Sequence, residues 1–146
     1  MVDVKRNYES QVAKFIAKQP RNKLVITESN LKKLQFISLN LELSPLLKQI
    51  QKQKDFSFRA KELIRNSFSN NDFSLKKLGK YLAISDVGLL LERELQFDFV
   101  SFLDSYSQNT TLFLKWEGEI SDNKLYFLTK ENGLEIDISS LSYIMI

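Results

Sequence analysis

The 146-residue chain holds no cysteine and no histidine, and only four glycines and two prolines. Without cysteine there is no disulfide, no thiolate nucleophile and no Cys-ligated zinc. Without histidine there is no Ser-His-Asp triad, no imidazole base and no paired-histidine metal site. Any chemistry must rest on Asp, Glu, Lys, Arg, Tyr or Ser, with Mg²⁺ as the metal that suits such ligands. No run of ~18 uninterrupted apolar residues occurs, so no membrane-spanning helix and no membrane partner are expected. Charges interrupt the first twenty residues throughout, so no signal peptide is expected and the cytoplasm is the expected compartment.

What is present suits a folded domain. Hydrophobic residues make up 43% of the chain, with 11 Phe and 5 Tyr, enough for a packed core. The length suits one domain over 1–146. The net charge of +3 conceals a division: residues 1–80 hold 17 Lys/Arg against 7 Asp/Glu, and residues 81–146 hold 4 against 11. One reading is two solvated faces of one domain. Another is a basic half that meets an acidic partner or nucleic acid, with an acidic half that discourages non-specific contact. The lysines from Lys14 to Lys80 form no tight cluster and do not interleave with aromatics as a single-strand-binding surface would. DNA contact is therefore open but not indicated.

Periodicity places the elements. Tyr8, Val12, Phe15 and Ile16 predict a helix over 3–18, stopped by Pro20. The β-branched run 23–27 predicts a buried strand, 28–33 one or two helical turns, and 36–40 a second strand. Ser44 before Pro45 predicts a helix start, with Leu46, Leu47 and Ile50 on its apolar face. Phe56, Ala60, Leu63, Ile64 and Phe68 predict another helix, ended by the Ser-Asn-Asn run at 69–71. Leu75, Leu78 and Leu82 suggest a short third. The run Tyr81–Val87 reads as a buried strand. Leu95, Phe99, Phe102, Leu103 and Tyr106 mark a helix. Strands follow at 110–116 and 124–129, with a hairpin turn at 121–123. A second turn at 131–133 precedes the alternating Leu134, Ile136 and Ile138, and the chain closes on 143–146. Strands alternating with helices, then a strand-rich end, predict an α/β sandwich with a mainly parallel central sheet.

The loop after the first strand is the first place to seek chemistry. A nucleotide-binding protein places G-x-x-x-x-G-K-[ST] there, because glycines let backbone N–H groups wrap the phosphates and the lysine neutralises them. This chain has Glu28, Ser29 and Asn30, and its glycines are Gly79, Gly88, Gly118 and Gly133. Side chains would intrude on the phosphates, and Glu28 adds the wrong charge. The second place is Asp86, at the end of a buried strand, where an acid either caps the structure or holds Mg²⁺. Glu92 and Glu94 nearby read as solvated charges at a helix start. Asp98 with Asp104, or Glu117 with Glu119, make a catalytic pair only if the fold brings them together. Alternation puts Glu117 and Glu119 on one side of a strand, most simply a solvent face. Trp116, the single tryptophan, either packs at the end of a core strand or anchors a protein interface.

Three stretches resemble one family: Ser38–Ser44 (SLNLELS), Ile84–Leu91 (ISDVGLLL), and Asp98–Gly118 with its W-x-G ending in Trp116 and Gly118. The family is BrxF, the small P-loop protein of type 3 bacteriophage-exclusion (BREX) systems. In that likeness the first stretch is similar to the segment after the P-loop helix. The second is similar to the Walker-B-like strand and its turn, with Asp86 on the metal-holding acid. The resemblance, carried by these stretches, runs over 36–50 and 81–129, about half the chain, and implies a small P-loop-NTPase-like sandwich. It also implies work beside larger phage-defence proteins, such as a large ATPase, a methyltransferase or a phosphatase-like component. The chain departs from the family where the glycine-rich loop belongs, passing from Thr27 to Phe36 in eight residues. The expectation is therefore a non-catalytic subunit or adaptor without a cofactor of its own. ATP and Mg²⁺ enter only if a partner completes the site. Rival readings are a nucleotide hydrolase completed in that way, and a DNA-binding accessory protein.

Overall fold

The computed structural model describes residues 8–69, 73–92, 95–127 and 134–146. Along the chain run α1 (Tyr8–Ala17), β1 (Leu24–Thr27), β2 (Phe36–Ser38), α2 (Leu39–Ile50), α3 (Phe56–Ser69), β3 (Ser74–Leu75) and β4 (Gly79–Ser85). A short 3₁₀ helix (Val87–Leu91), α4 (Phe99–Ser107), β5 (Thr111–Lys115), β6 (Glu119–Ser121), β7 (Lys124–Phe127), β8 (Leu134–Asp137) and β9 (Tyr143–Met145) follow.

The run Leu24–Thr27 has every residue buried, as a strand covered on both faces requires. It pairs in parallel with β5, Leu24 opposite Leu112, and with β9, Leu24 opposite Tyr143. The central sheet has the order β2-β4-β5-β1-β9, parallel throughout, with β3 added antiparallel to β4. Because successive side chains point to opposite faces, the same strands feed two cores. Leu24, Ile26, Leu82, Ile84, Leu112 and Leu114 face α2, α3 and α4. Val25, Tyr81, Ala83 and Phe113 face the other way, toward Tyr8 and Val12 of α1 and toward Leu31. The result is an α/β sandwich with a mainly parallel sheet. Beside it, β6, β7 and β8 form an antiparallel sheet at the strand-rich C-terminal end, its Leu125 and Ile136 buried in the first core.

Several sequence expectations hold. The first helix covers 8–17 of its expected span, and residues 3–7 lie outside the described residues. The hairpin at 121–123 forms, with φ of 53° at Asp122 and 62° at Asn123. Positive φ at both central residues is what a type I′ hairpin turn demands, and Asn and Asp accept it. The turn at 131–133, the helix-ending residues 70–71 and the strand end at 128–129 lie outside the described residues.

Three expectations fail, each because tertiary pairing overrides a local signal. Residues 28–33 form a bend and a turn, not a helix, since the chain has only eight residues in which to reach β2. The helix expected from Ser44 begins six residues earlier. Ser38 is its N-cap, accepting from the Leu41 amide at 3.4 Å, and Pro45 lies inside it. Leu39, Leu43 and Leu47, buried at i, i+4 and i+8, carry the helix through the proline. Leu75 and Leu78 belong to no helix. Leu75 pairs with Gly79 across a tight turn, and Leu82 lies within β4. Gly79 has a φ of +76°, the left-handed conformation such a turn needs.

Candidate functional site

In an open parallel sheet, ligands collect in the crevice outside the carboxyl ends of the strands. Here the ends of β1, β2, β4 and β5 are Thr27, Ser38, Ser85 and Lys115, and β9 ends at Met145. Just beyond Ser85 and Lys115 lie Asp86 and Trp116, the residues singled out from the sequence. Both line the same cavity, of about 530 Å³.

Asp86 follows β4 with a φ of 54° and a ψ of 47° and opens the 3₁₀ helix. A left-handed non-glycine residue is uncommon, and Asp is among the types that tolerate it. The turn sends Val87 and Leu90 into the core and leaves the Asp86 carboxylate exposed at the rim. That carboxylate accepts a hydrogen bond from Ser38 Oγ at 2.5 Å. Parallel pairing of β2 with β4, Ser38 opposite Ser85, brings the two together across 48 residues of chain. The sequence flagged Asp86 but missed Ser38. The signal was available, because a serine directly before an i, i+4, i+8 leucine series is an N-cap pattern.

Trp116 is 2% exposed. Its backbone N–H donates to the Thr27 carbonyl at 2.9 Å, and its indole Nε1–H donates to the Tyr126 carbonyl at 3.3 Å. The ring stacks near Phe99 and meets Phe127 edge-on. The indole thus ties the central sheet to the small one and forms the cavity's inner wall. Gly118 lets this happen, since a Cβ there would sit 2.0 Å from the Tyr126 carbonyl oxygen.

The remaining lining is of mixed charge. Glu92 and Glu117 add carboxylates, Lys115 an ammonium, and Asn40 an amide. Lys115 Nζ stands 4.0 Å from Glu117. Glu117 and Glu119 do not share a strand face, because the chain leaves the sheet at Trp116 and re-enters one at Glu119. Asp98 and Asp104 do not meet as a pair either. Asp98 caps α4 by accepting from the Ser101 amide, and Asp104 takes a two-pronged bond from Arg21 at 2.9 and 3.1 Å. The Arg21 and Asn22 hydrogen bonds hold the Asp104 carboxyl down at about 2. Glu94 lies outside the described residues.

Among the described residues no three metal-ligating side chains converge. Asp86 and Ser38 offer one carboxylate and one hydroxyl. Mg²⁺ commonly binds through one or two carboxylates together with substrate phosphates, so this pair fits the ion only alongside phosphate oxygens.

The segment after β1 is built differently from a phosphate cradle. The Ser29 amide donates to Thr27 Oγ1 at 3.3 Å, and the Thr27 hydroxyl donates to the Ser29 carbonyl at 3.0 Å. The Leu34 amide bonds the Leu31 carbonyl, and the Gln35 amide bonds the Tyr81 hydroxyl at 2.9 Å. Leu31 is buried beneath this connection.

The fold and site define an α/β domain with a crevice at the carboxyl edge of its parallel sheet. No protein-family model, no curated protein and no solved structure matches the chain.

Proposed function

We propose that the chain is a non-catalytic subunit or adaptor of a bacterial phage-defence assembly of the BREX kind, acting through protein–protein contacts. The phage-defence part rests on the resemblance to BrxF. It is supported by the meeting in space of two of the three resembling stretches, at the Ser38–Asp86 hydrogen bond. The non-catalytic part rests on one observation, the connection from Thr27 to Phe36. A triphosphate is gripped by backbone N–H groups that point outward. In this connection the amides of Ser29, Leu34 and Gln35 are already donated within the chain, and Glu28 repels an anion.

Calorimetric titration of the purified chain with Mg-ATP, and co-expression with the large ATPase, methyltransferase and phosphatase-like components of a type 3 BREX system, test this reading. No ATP binding and stoichiometric co-purification with one of those components are the expected results. Magnesium-dependent hydrolysis by the chain alone overturns it. The Ser38–Asp86 pair favours a second reading, a nucleotide hydrolase whose phosphate grip a partner supplies. Under that reading Asp86→Asn abolishes turnover of the reconstituted complex; under the adaptor reading turnover is unchanged.

A further inference from the structure

A second cavity, of about 500 Å³, lies away from the crevice, between α3 and α4. Lys61, Ile64, Arg65 and Phe68 line it from α3 at i, i+3, i+4 and i+7, so they form one stripe. Ser101, Phe102, Ser105 and Tyr106, at i, i+1, i+4 and i+5, make the facing stripe of α4. Aromatic rings bridge the two helices and floor the groove. Phe68 lies 5.2 Å from Phe102 and 6.2 Å from Tyr106, and Phe97 lies 5.6 Å from Phe102. Only Phe68 of these is buried; Phe97, Phe102 and Tyr106 keep part of their surface open.

The groove carries two cations, Lys61 and Arg65, against one carboxylate, Asp98. Neither Lys61 nor Arg65 pairs with a carboxylate among the described residues, whereas neighbouring Arg59 is held by Asp55 at 2.9 Å. The acid on the facing wall, Asp98, is engaged in capping α4. Phe58, 63% exposed, extends the Lys61 stripe by one turn with a further apolar side chain. Burial raises the pKa of the Tyr106 hydroxyl above its ordinary value, and at neutral pH the group is a donor.

We infer that this groove docks an acidic peptide segment of a protein partner. An apolar side chain of that segment inserts against Phe68, Phe102 and Tyr106, and flanking carboxylates meet Lys61 and Arg65. The charge complementarity selects an acidic occupant. The packing favours a peptide over a nucleic acid: the rings are tilted against one another with centroids 5.2–5.7 Å apart, so what they leave open suits an inserted side chain better than the flat stacking of a base. The inference deepens the adaptor reading and rests on it only for the partner being a protein.

Selection of a displayed random 12-residue peptide library on the full chain tests it. The expected outcome is enrichment of sequences in which Asp and Glu flank an aromatic or aliphatic residue. The selected peptides should shift the amide resonances of Ser101 and Ser105. They should bind the Lys61→Glu/Arg65→Glu variant about tenfold more weakly or worse, at an unchanged melting temperature. Should that variant not fold, Lys61→Gln/Arg65→Gln replaces it. No enrichment, a basic or uncharged consensus, or equal affinity for the charge-altered variant overturns the inference. So does binding of labelled oligothymidylate at Lys61 and Arg65 in place of an acidic peptide. A phage-defence complex that forms equally well with the variant sinks the groove and leaves the adaptor standing. Groove-binding acidic peptides without any such complex sink the phage-defence reading and leave the groove.

Discussion

Asn22 is buried without remainder, and its amide makes three bonds to distant parts of the chain. Its Nδ2 donates to the Asp104 carboxylate and carbonyl at 2.8 and 3.0 Å, and its Oδ1 accepts from the Ser142 amide at 3.0 Å. Truncation strands buried polar groups, so Asn22→Ala should cost about 1–3 kcal/mol in a urea melt. Its neighbour Asp104 gives a pH signature. A carboxyl held at about 2 when folded and near 3.8 when free contributes stability that is complete above pH 4. That stability is lost as pH falls through 2. Asp104→Asn should therefore flatten the stability profile between pH 4 and 2, measured by denaturant midpoints; an unchanged slope would remove the Arg21–Asp104 pair from the account. Gly118 is constrained by close approach of the backbone at Tyr126. Gly118→Ala must push the bend before β6 away from β7 and should cost about 3 kcal/mol, read from the melting temperature. Of these three residues, only Gly118 and Asp104 drew attention in the sequence, and neither for the contact it makes. Asn22 gave no signal, because a polar residue between Pro20 and a strand looks like any loop residue.

Among the elements, α2 shows how burial overrides a breaker. Pro45 has no N–H to give the Leu41 carbonyl, yet the helix runs on because Leu39, Leu43 and Leu47 are buried. Leu41 is 76% exposed, which places the interrupted helix bond on the solvent side of α2. Pro45→Ala should stabilise the protein by about 2 kcal/mol, after allowing for the freer unfolded chain. A loss of stability would mean that the proline's ring is itself a packing contact. Strands β1, β4 and β5 were legible as apolar runs because both faces of a central strand are buried. The β3–β4 hairpin was not: three leucines spaced like a helical stripe also fit a turn once Gly79 adopts a positive φ.

At the scale of the whole molecule, the two sheets share one core and one tryptophan. Trp116 is hydrogen-bonded to Thr27 in the central sheet and to Tyr126 in the small one, so its fluorescence reports on both. Unfolding in urea followed by Trp116 fluorescence and by far-ultraviolet circular dichroism should give coincident transitions, as one cooperative unit requires. Two separated transitions would mean that the C-terminal sheet folds apart from the rest.

The sequence by itself determined the α/β class, the buried strands and the lack of any glycine-lined turn after the first of them. Each of these is written in local period or composition, which a single strand or helix imposes on its own residues. Only the tertiary structure decided that Ser38 meets Asp86, that Trp116 joins two sheets and that α3 and α4 enclose a groove. Those outcomes follow from strand order, and strand order is set by which apolar faces, far apart along the chain, bury one another best. No local period encodes that choice.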